Sequence, residues 1–370
     1  MKNMGLFSKS QPNSYLGVDI GGSSIKMVEL ESNQGRAQLV TYGYLERSLK
    51  SAEESLLNNP EEMAAAIKRV AQQAKVRTNT AITALPASAV FSTAISLPEI
   101  NRKDLSSTKK ITEAVEIEAA KVLPLPIDEM VLDWKVLGEN NIDKQATPDG
   151  KIKNLQILLT AAARSLIQKY VEIFKRANFN LLSLETESFA IARALVGKDK
   201  STVMVVDIGA ANTDIAIVDN AVPYIERTVN VGGFAISQLL AKNLNINLEQ
   251  AEQFKRDLAA YSDSLSPGQV LPPVIEQAIM PIVNEIRYLI DFFNQQPGNE
   301  AKRLDRIILS GGTARLFNMP EYFTGVFNVR TFLGDPWARV VYKDELQPIL
   351  EQLGSRLAVS IGLAMREIEK

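Results

Sequence analysis

One short pattern occurs twice in this chain. GVDIGGSSIKMV (17–28) and VVDIGAANTDIA (205–216) share Val-Asp-Ile-Gly, and each continues into a β-rich run. An apolar strand, an Asp at its end, a turn of small residues and a returning strand read as a hairpin. Two such hairpins stand at the same place in the two halves of the chain, a repeat too specific for chance.

Each turn has a specific chemistry. Successive backbone N–H groups in a turn of small residues form an anion nest. Gly21, Gly22 and Gly209 can adopt positive φ and let a ligand approach the backbone. Ser23, Ser24, Asn212 and Thr213 add side-chain donors, and Lys26 lies just past the first turn. Asp19 and Asp207 end their strands and face each other if the halves form a clamp. Two carboxylates beside a phosphate repel it unless a hard cation lies between, and Mg²⁺ held through carboxylate and water fits. GGSSIK precedes a strand, so it is no dinucleotide-binding turn, and the chain carries no GxxxxGK[ST] phosphate loop.

Composition narrows the chemistry further. The chain has no Cys and no His, which excludes disulfides, thiolate or imidazole metal sites, and Ser-His catalysis. Lys plus Arg is 41 and Asp plus Glu 43, so the basic excess of a dedicated nucleic-acid binder is missing. No apolar run is long enough to span a bilayer, and MKNMGLFSKSQPNS is too polar for a signal peptide.

The remaining pattern reads as follows. A strand at 39–47, a helix at 60–74 and a strand at 80–86 complete the start of the first half. Residues 87–162 form a strand–helix–strand–strand unit, with its helix over 102–123. On its first strand Phe91, Thr93, Ile95 and Leu97 point one way; Val90, Ser92, Ala94 and Ser96 point the other, a small-residue face suited to a peptide groove. A helix (165–178), a strand (180–185) and a helix (188–197) lead to the second half. There VNVGG brings Gly232 and Gly233, and AEQFKRD sets Glu252 and Lys255 on one helical face as a ribose and adenine clamp. A long helix reaches residue 294, with Pro281 expected to kink or divide it. SGGTARL, with Gly311, Gly312 and Thr313, reads as strand–GG–helix; a strand and turn at 327–336 and a helix at 354–368 follow.

The order VDIGGSSIK, VDIGAANTD, VNVGG, AEQFK and SGGTARL resembles the actin/Hsp70/sugar-kinase ATP-binding superfamily. The 87–162 unit is similar to the insert of its FtsA-like branch. GLFSK, LPLP, ESFAIARAL and NEIRYLIDFF resemble the PilM family of type IV pilus assembly proteins. The resemblance implies an actin-like fold: a tail (1–14), a first lobe (15–86 and 163–200), the insert (87–162), a second lobe (201–353) and a closing helix (354–370) returning to the first lobe. It implies ATP and Mg²⁺ as ligands, with Asp19 and Asp207 toward the metal. It implies a cytoplasmic, inner-membrane-associated scaffold that takes the cytoplasmic N-terminal tail of PilN in a groove between insert and first lobe, among other platform proteins and assembly ATPases. Glu187 aligns best with the superfamily's water-positioning Glu, Glu185 second, and weak or absent ATPase activity is expected. Two alternatives stand beside this reading. One is an FtsA-like filament-forming division protein, whose usual C-terminal membrane helix is not expected after MREIEK; the other is a small-molecule kinase.

Overall fold

The computed structural model describes residues 13–46, 59–101, 108–137, 151–260, 271–296, 302–316 and 318–369. Nearly all of the 1–14 tail, the start of the 102–123 helix, most of the loop at 140–151 and most of that at 262–273 lie outside them. The chain begins as read. β1 (Ser14–Ile20) and β2 (Ser24–Asn33) pair antiparallel, with Asp19 opposite Lys26. The Gly21 N–H donates to the Ser24 carbonyl at 2.9 Å and closes the turn. β3 (Arg36–Glu46) returns along β2. The fully buried Glu29 carboxylate on β2 accepts from Ser14 Oγ and from the N–H groups of Arg77 and Thr78, so its burial is compensated. α1 (Pro60–Gln73) starts where Asn59 accepts from the Glu62 N–H, with Pro60 at the first position and two acids in the first turn.

β4 (Thr80–Leu85) lies parallel to β1. The chain then leaves into a small antiparallel sheet of order β5-β7-β6, made of β5 (Val90–Asn101), β6 (Met130–Val136) and β7 (Lys151–Ala163). α2 (Thr108–Ala119) covers one face of it: Ile111, Val115 and Ala119 pack with Ile95, Leu97, Leu155, Ile157 and Leu159 in a separate core. α3 (Arg164–Arg176), β8 (Asn180–Thr186) and α4 (Glu187–Leu195) follow, β8 pairing parallel to β4. With β14 (Val340–Val341) at its edge, the first large sheet has the order β14-β3-β2-β1-β4-β8.

The second large sheet repeats the opening hairpin. β9 (Val203–Ile208) and β10 (Thr213–Asp219) pair with Asp207 opposite Asp214, and the Gly209 N–H donates to the Asn212 carbonyl at 2.9 Å. β11 (Val222–Val229), β12 (Arg306–Ser310) and β13 (Thr331–Leu333) complete the order β11-β10-β9-β12-β13. α5 (Gly233–Leu244), α6 (Leu248–Ala260), α7 (Pro273–Asn294) and α8 (Met319–Phe327) belong to this half. β14 (Val340–Val341), within the 201–353 stretch, pairs instead with β3 of the first sheet.

Three readings of the sequence need correction here. Pro281 does not divide α7; Ile275, Ile279, Ile282, Ile286 and Phe293 all insert into the second core and hold one continuous helix. SGGTARL does not open an α-helix: residues 313–315 make a single 3₁₀ turn, and α8 begins only at Met319. The segment from 327 holds a three-residue strand, because α8 occupies MPEYFTGVF with Asn328 in the left-handed conformation at its end.

α9 (Gln347–Met365) ties the halves together. It starts earlier than its apolar pattern suggested, with Pro348 in its first turn. Its Leu357, Ala358, Ile361 and Ala364 share one core with Val28 and Ile82 of the first sheet and Val203, Val205 and Ile308 of the second. Two glycines permit the close crossing: a Cβ on Gly17 would meet the Ser360 carbonyl, and one on Gly362 the Ala190 carbonyl. Gly362→Ala is therefore expected to destabilise the protein by about 1–3 kcal/mol, the usual cost of overpacking, read as a lowered midpoint in urea unfolding.

Candidate functional site

The two repeated turns open onto one cleft between the large sheets. Gly22 lies across from Ala211, whose methyl would stand 3.9 Å from a Cβ on the glycine. Asp19, Gly21, Gly22, Ser23, Ser24 and Lys26 line one side. Asp207, Gly209, Asn212, Gly311, Gly312 and Thr313 line the other. Glu187, first residue of α4, lies at the floor, where its Oε2 accepts from the Ala87 N–H at 3.3 Å. Its runner-up, Glu185, is turned out of the cleft and held by Arg193 and Arg366. Helical packing separates these two positions, and the Glu pair alone does not tell which one turns inward.

Other expected ligands brace the site, and Thr313 both lines and braces it. Gly232 sits against the Gly209 and Ala210 carbonyls, 2.7 Å from where its Cβ would be, and only glycine fits. The N–H groups of Gly233 and Phe234 donate to those same carbonyls at 2.9 and 2.8 Å. Thr213 is buried and donates to the Val231 carbonyl at 2.7 Å. Thr313 Oγ1 donates to the Gly209 carbonyl at 3.1 Å. The second turn is thus held from behind by VNVGG and from the side by Thr313. Positive φ appears at Gly311 (+87°), whereas Gly21, Gly22 and Gly209 keep ordinary backbone angles.

The Glu252–Lys255 pair is part of a buried network. The Lys255 ammonium donates to Glu252 Oε2, the Gly233 carbonyl and Ser237 Oγ at 2.7, 2.8 and 2.9 Å. Burial lowers the Lys255 pKa against the pull of Glu252. Burial by itself raises the Glu252 pKa, but Lys255 and the surrounding donors bring it below the ordinary value. Both residues remain in the cleft wall. Beyond them Glu46, at the end of β3, is ion-paired with Arg256 of α6 at 3.1 Å and with Arg356 of α9, which stacks over Tyr44. No local motif marks Glu46 or Arg356; three distant elements bring them together.

The electrostatics of the floor decide what it can hold. The Lys26 ammonium donates to Asp19 Oδ2 at 2.8 Å, and Asp19 is 4% exposed. Burial by itself would lower the Lys26 pKa; the Asp19 charge and hydrogen bond raise it above the ordinary value. The equivalent of Lys26 in the second hairpin is Asp214, a carboxylate facing Asp207 where the first hairpin has a cation. Burial, together with Asp214 and Asp19 and against the pull of Lys26, pushes Asp207 up to about 7. Burial raises Glu187 well above the usual range, with Asp214 and Asp19 adding to it. Asp19, Asp207, Asp214 and Glu187 therefore share one nearby ammonium, a deficit of positive charge that a divalent cation would relieve. Among the described residues no three such side chains form a ready-made metal cage. A Mg²⁺ ion here would take Asp19 or Asp207 and complete its shell with water and phosphate oxygens. The residues fit that group.

Glu226 on β11 extends the acidic region toward α4. Burial, with Asp214 adding and Ser188 partly offsetting, pushes it up to about 7, and its Oε1 lacks a partner. A carboxyl whose folded pKa is raised stabilises the fold fully at pH below its ordinary value, and that contribution is lost as pH rises through about 7. Glu226→Gln is expected to gain on the parent protein by on the order of 1–3 kcal/mol at pH 8. The gain should shrink toward pH 5 when both are melted without ligand.

Comparison with known proteins identifies the fold and the family. The family model described as type IV pilus assembly protein PilM matches residues 17–368. The solved PilM–PilN type IV pilus biogenesis complex superposes with a TM-score of 0.79 at 25% identity, over 96% of this chain and 99% of that one. MreB5 of Spiroplasma citri bound to AMPPNP shares the actin-like fold, with a TM-score of 0.54 at 13% identity over 95% of each chain. Cell division protein FtsA of Pseudomonas aeruginosa is 21% identical over 386 residues, 96% of this chain and 89% of its own. FtsA of Bacillus subtilis is 24% identical over 162 residues, and that match spans 37% of its length. The fold is the mixed α/β actin-like one, and with a family match running from the first repeat to the end of the last helix, the chain belongs to the PilM family of type IV pilus assembly proteins.

Proposed function

We propose that this chain is an ATP-binding scaffold at the cytoplasmic face of the inner membrane that holds the N-terminal tail of a PilN partner. Residues 15–86 with 163–200 act as one lobe and 201–353 as the other; 87–162 is the insert and 354–370 closes the first lobe. The observation that carries the reading is a second cavity, of about 360 Å³, between the insert sheet and the first lobe. Val90, Val131, Leu158 and Ala162 form its sheet wall, and Ile167, Leu184 and Phe189 the opposite one. An apolar peptide segment fits such walls, with Arg193, Arg366, Asp133 and Lys135 available to its polar groups. Ala94 and Ser96 share this sheet face and are exposed, but the cavity is centred farther along, over β6 and β7. Among the described residues no helix is long and apolar enough to cross a membrane, so membrane association would come through the partner.

In the cleft, Lys26 and the backbone of the two turns would hold phosphate oxygens, and Asp19 and Asp207 the metal. Mg²⁺ would supply charge neutralisation between phosphate and carboxylate. Glu187, at the floor of the cleft, would be the residue that orients a water, and slow or absent hydrolysis is expected. An FtsA-like filament-forming reading is the runner-up, favoured by the FtsA matches. Sedimentation of polymer in Mg-ATP would favour it over the scaffold.

Two outcomes are expected from calorimetry. Lys26→Met should weaken Mg-ATP binding about 10- to 150-fold, the value of one charge-assisted contact, with the groove still competent. Val131→Asp, on the half-buried wall of the groove, should weaken binding of a synthetic PilN tail peptide by at least about 10-fold while Mg-ATP still binds. Unchanged peptide affinity in Val131→Asp would place the tail elsewhere.

A further inference from the structure

Ion pairs tie the two lobes at both ends of their strands. Away from the repeated turns, where the chain passes from one lobe to the other, Arg306 at the start of β12 is paired with Asp199. At the cleft end the tie is Glu46, the last residue of β3, which stands opposite Ser24 beside the first turn. Its Oε2 accepts from Arg256 of α6 at 3.1 Å, and its Oε1 accepts from Arg356 of α9. Glu46, Arg256 and Arg356 all line the cleft.

Each arginine is anchored on its own side. Arg256 Nε donates to Glu252 Oε1 at 3.2 Å, and Glu252 Oε2 in turn holds Lys255. Arg356 is wedged between the lobes. Its guanidinium lies 5.4 Å from the centre of the Tyr44 ring on β3, and its Cγ stands 3.6 Å from where a Cβ on Gly312 would be. The first lobe, through Tyr44 and Glu46, thus meets the second, through Arg256 and the Gly312 turn, with Arg356 between them. Parting the lobes at the cleft end means breaking the contacts of Glu46.

We infer that Glu46 is the latch of the cleft: it holds the lobes together at the mouth, and a nucleotide enters and leaves while its contacts with Arg256 and Arg356 are broken. This rests on the proposed reading of the cleft as a nucleotide site. Every partner in the bridge is a protein group, so the bridge forms with the cleft filled or empty, and its contribution largely cancels from affinity. It does not cancel from the rates. A gate of this kind slows entry and exit by one shared factor, set by the fraction of molecules in which it is open.

The test is stopped-flow mixing of the intact protein with a fluorescent ATP analogue and Mg²⁺, reading association and dissociation separately. Glu46→Gln removes both charge-assisted contacts and should speed both steps at least about five-fold, with affinity changed by less than about two-fold. Arg256→Gln removes the more exposed contact and should speed both about two-fold. The two variants change the local charge in opposite senses. Charge alone would slow dissociation of an anionic ligand in the first and slow its association in the second, whereas the latch speeds both steps in both. If Glu46→Gln speeds dissociation only, or leaves both rates at the parent's values, the latch is wrong and the proposed function stands. Slower association in Arg256→Gln overturns it as well. If the analogue does not bind the parent protein, the latch and the nucleotide reading fall together.

Discussion

The crossing of α9 over β1 and α4 is the contact on which the molecule depends. Gly17 and Gly362 remove the two side chains that would hold the helix away, and backbone approaches backbone. Once α9 is seated, its apolar side chains serve the first and second sheets together, in one core under the cleft. Midway along it the helix is fixed to the second sheet as well, where the Ser355 carbonyl accepts from the Gly311 N–H at 2.9 Å and from Ser310 Oγ at 3.1 Å. The cleft is thus a gap left above a shared floor, and its width follows from how that helix lies.

On this floor the two halves of the repeat diverge in charge. The hairpins have the same turn length, the same closing hydrogen bond and the same register. At one register position the first carries Lys26 and the second Asp214. The first turn is nearly neutral, a carboxylate paired with an ammonium. The second is strongly acidic and expensive to bury without a cation. A symmetric backbone with an asymmetric charge suits a ligand that is itself asymmetric, with phosphate oxygens toward Lys26 and a cation toward Asp207.

Much of this was legible in the residues. The repeat announced the two hairpins, and the alternation of Phe91, Ile95 and Leu97 correctly marked the face that meets α2. The turn residues landed in one cleft because strand ends bring them there regardless of side-chain detail. What stayed hidden depends on tertiary context. Thr213 reads as a donor to phosphate, yet its hydroxyl is spent on Val231. Gly232 reads as a ligand-facing residue, yet it gives way to carbonyls of the second turn. The Glu46–Arg356 pair joins residues at opposite ends of the chain, and no local spacing encodes it. Asp214 was the missed residue with a visible signal, since aligning TD with IK across the two repeats puts a carboxylate where the lysine stands.

The small sheet leaves and rejoins the first lobe at neighbouring points. Val90, its first strand residue, pairs with Ala162, and Ala163 leads directly into α3. Among the described residues, its own core is built from β5, β6, β7 and α2, with no side chain borrowed from the large sheets. Topologically it is a cassette whose entrance and exit are already joined, so the closure entropy the lobe must meet is that of a short loop, whatever the cassette contains. A two-lobed fold can exchange such a cassette for another without re-solving its own packing problem.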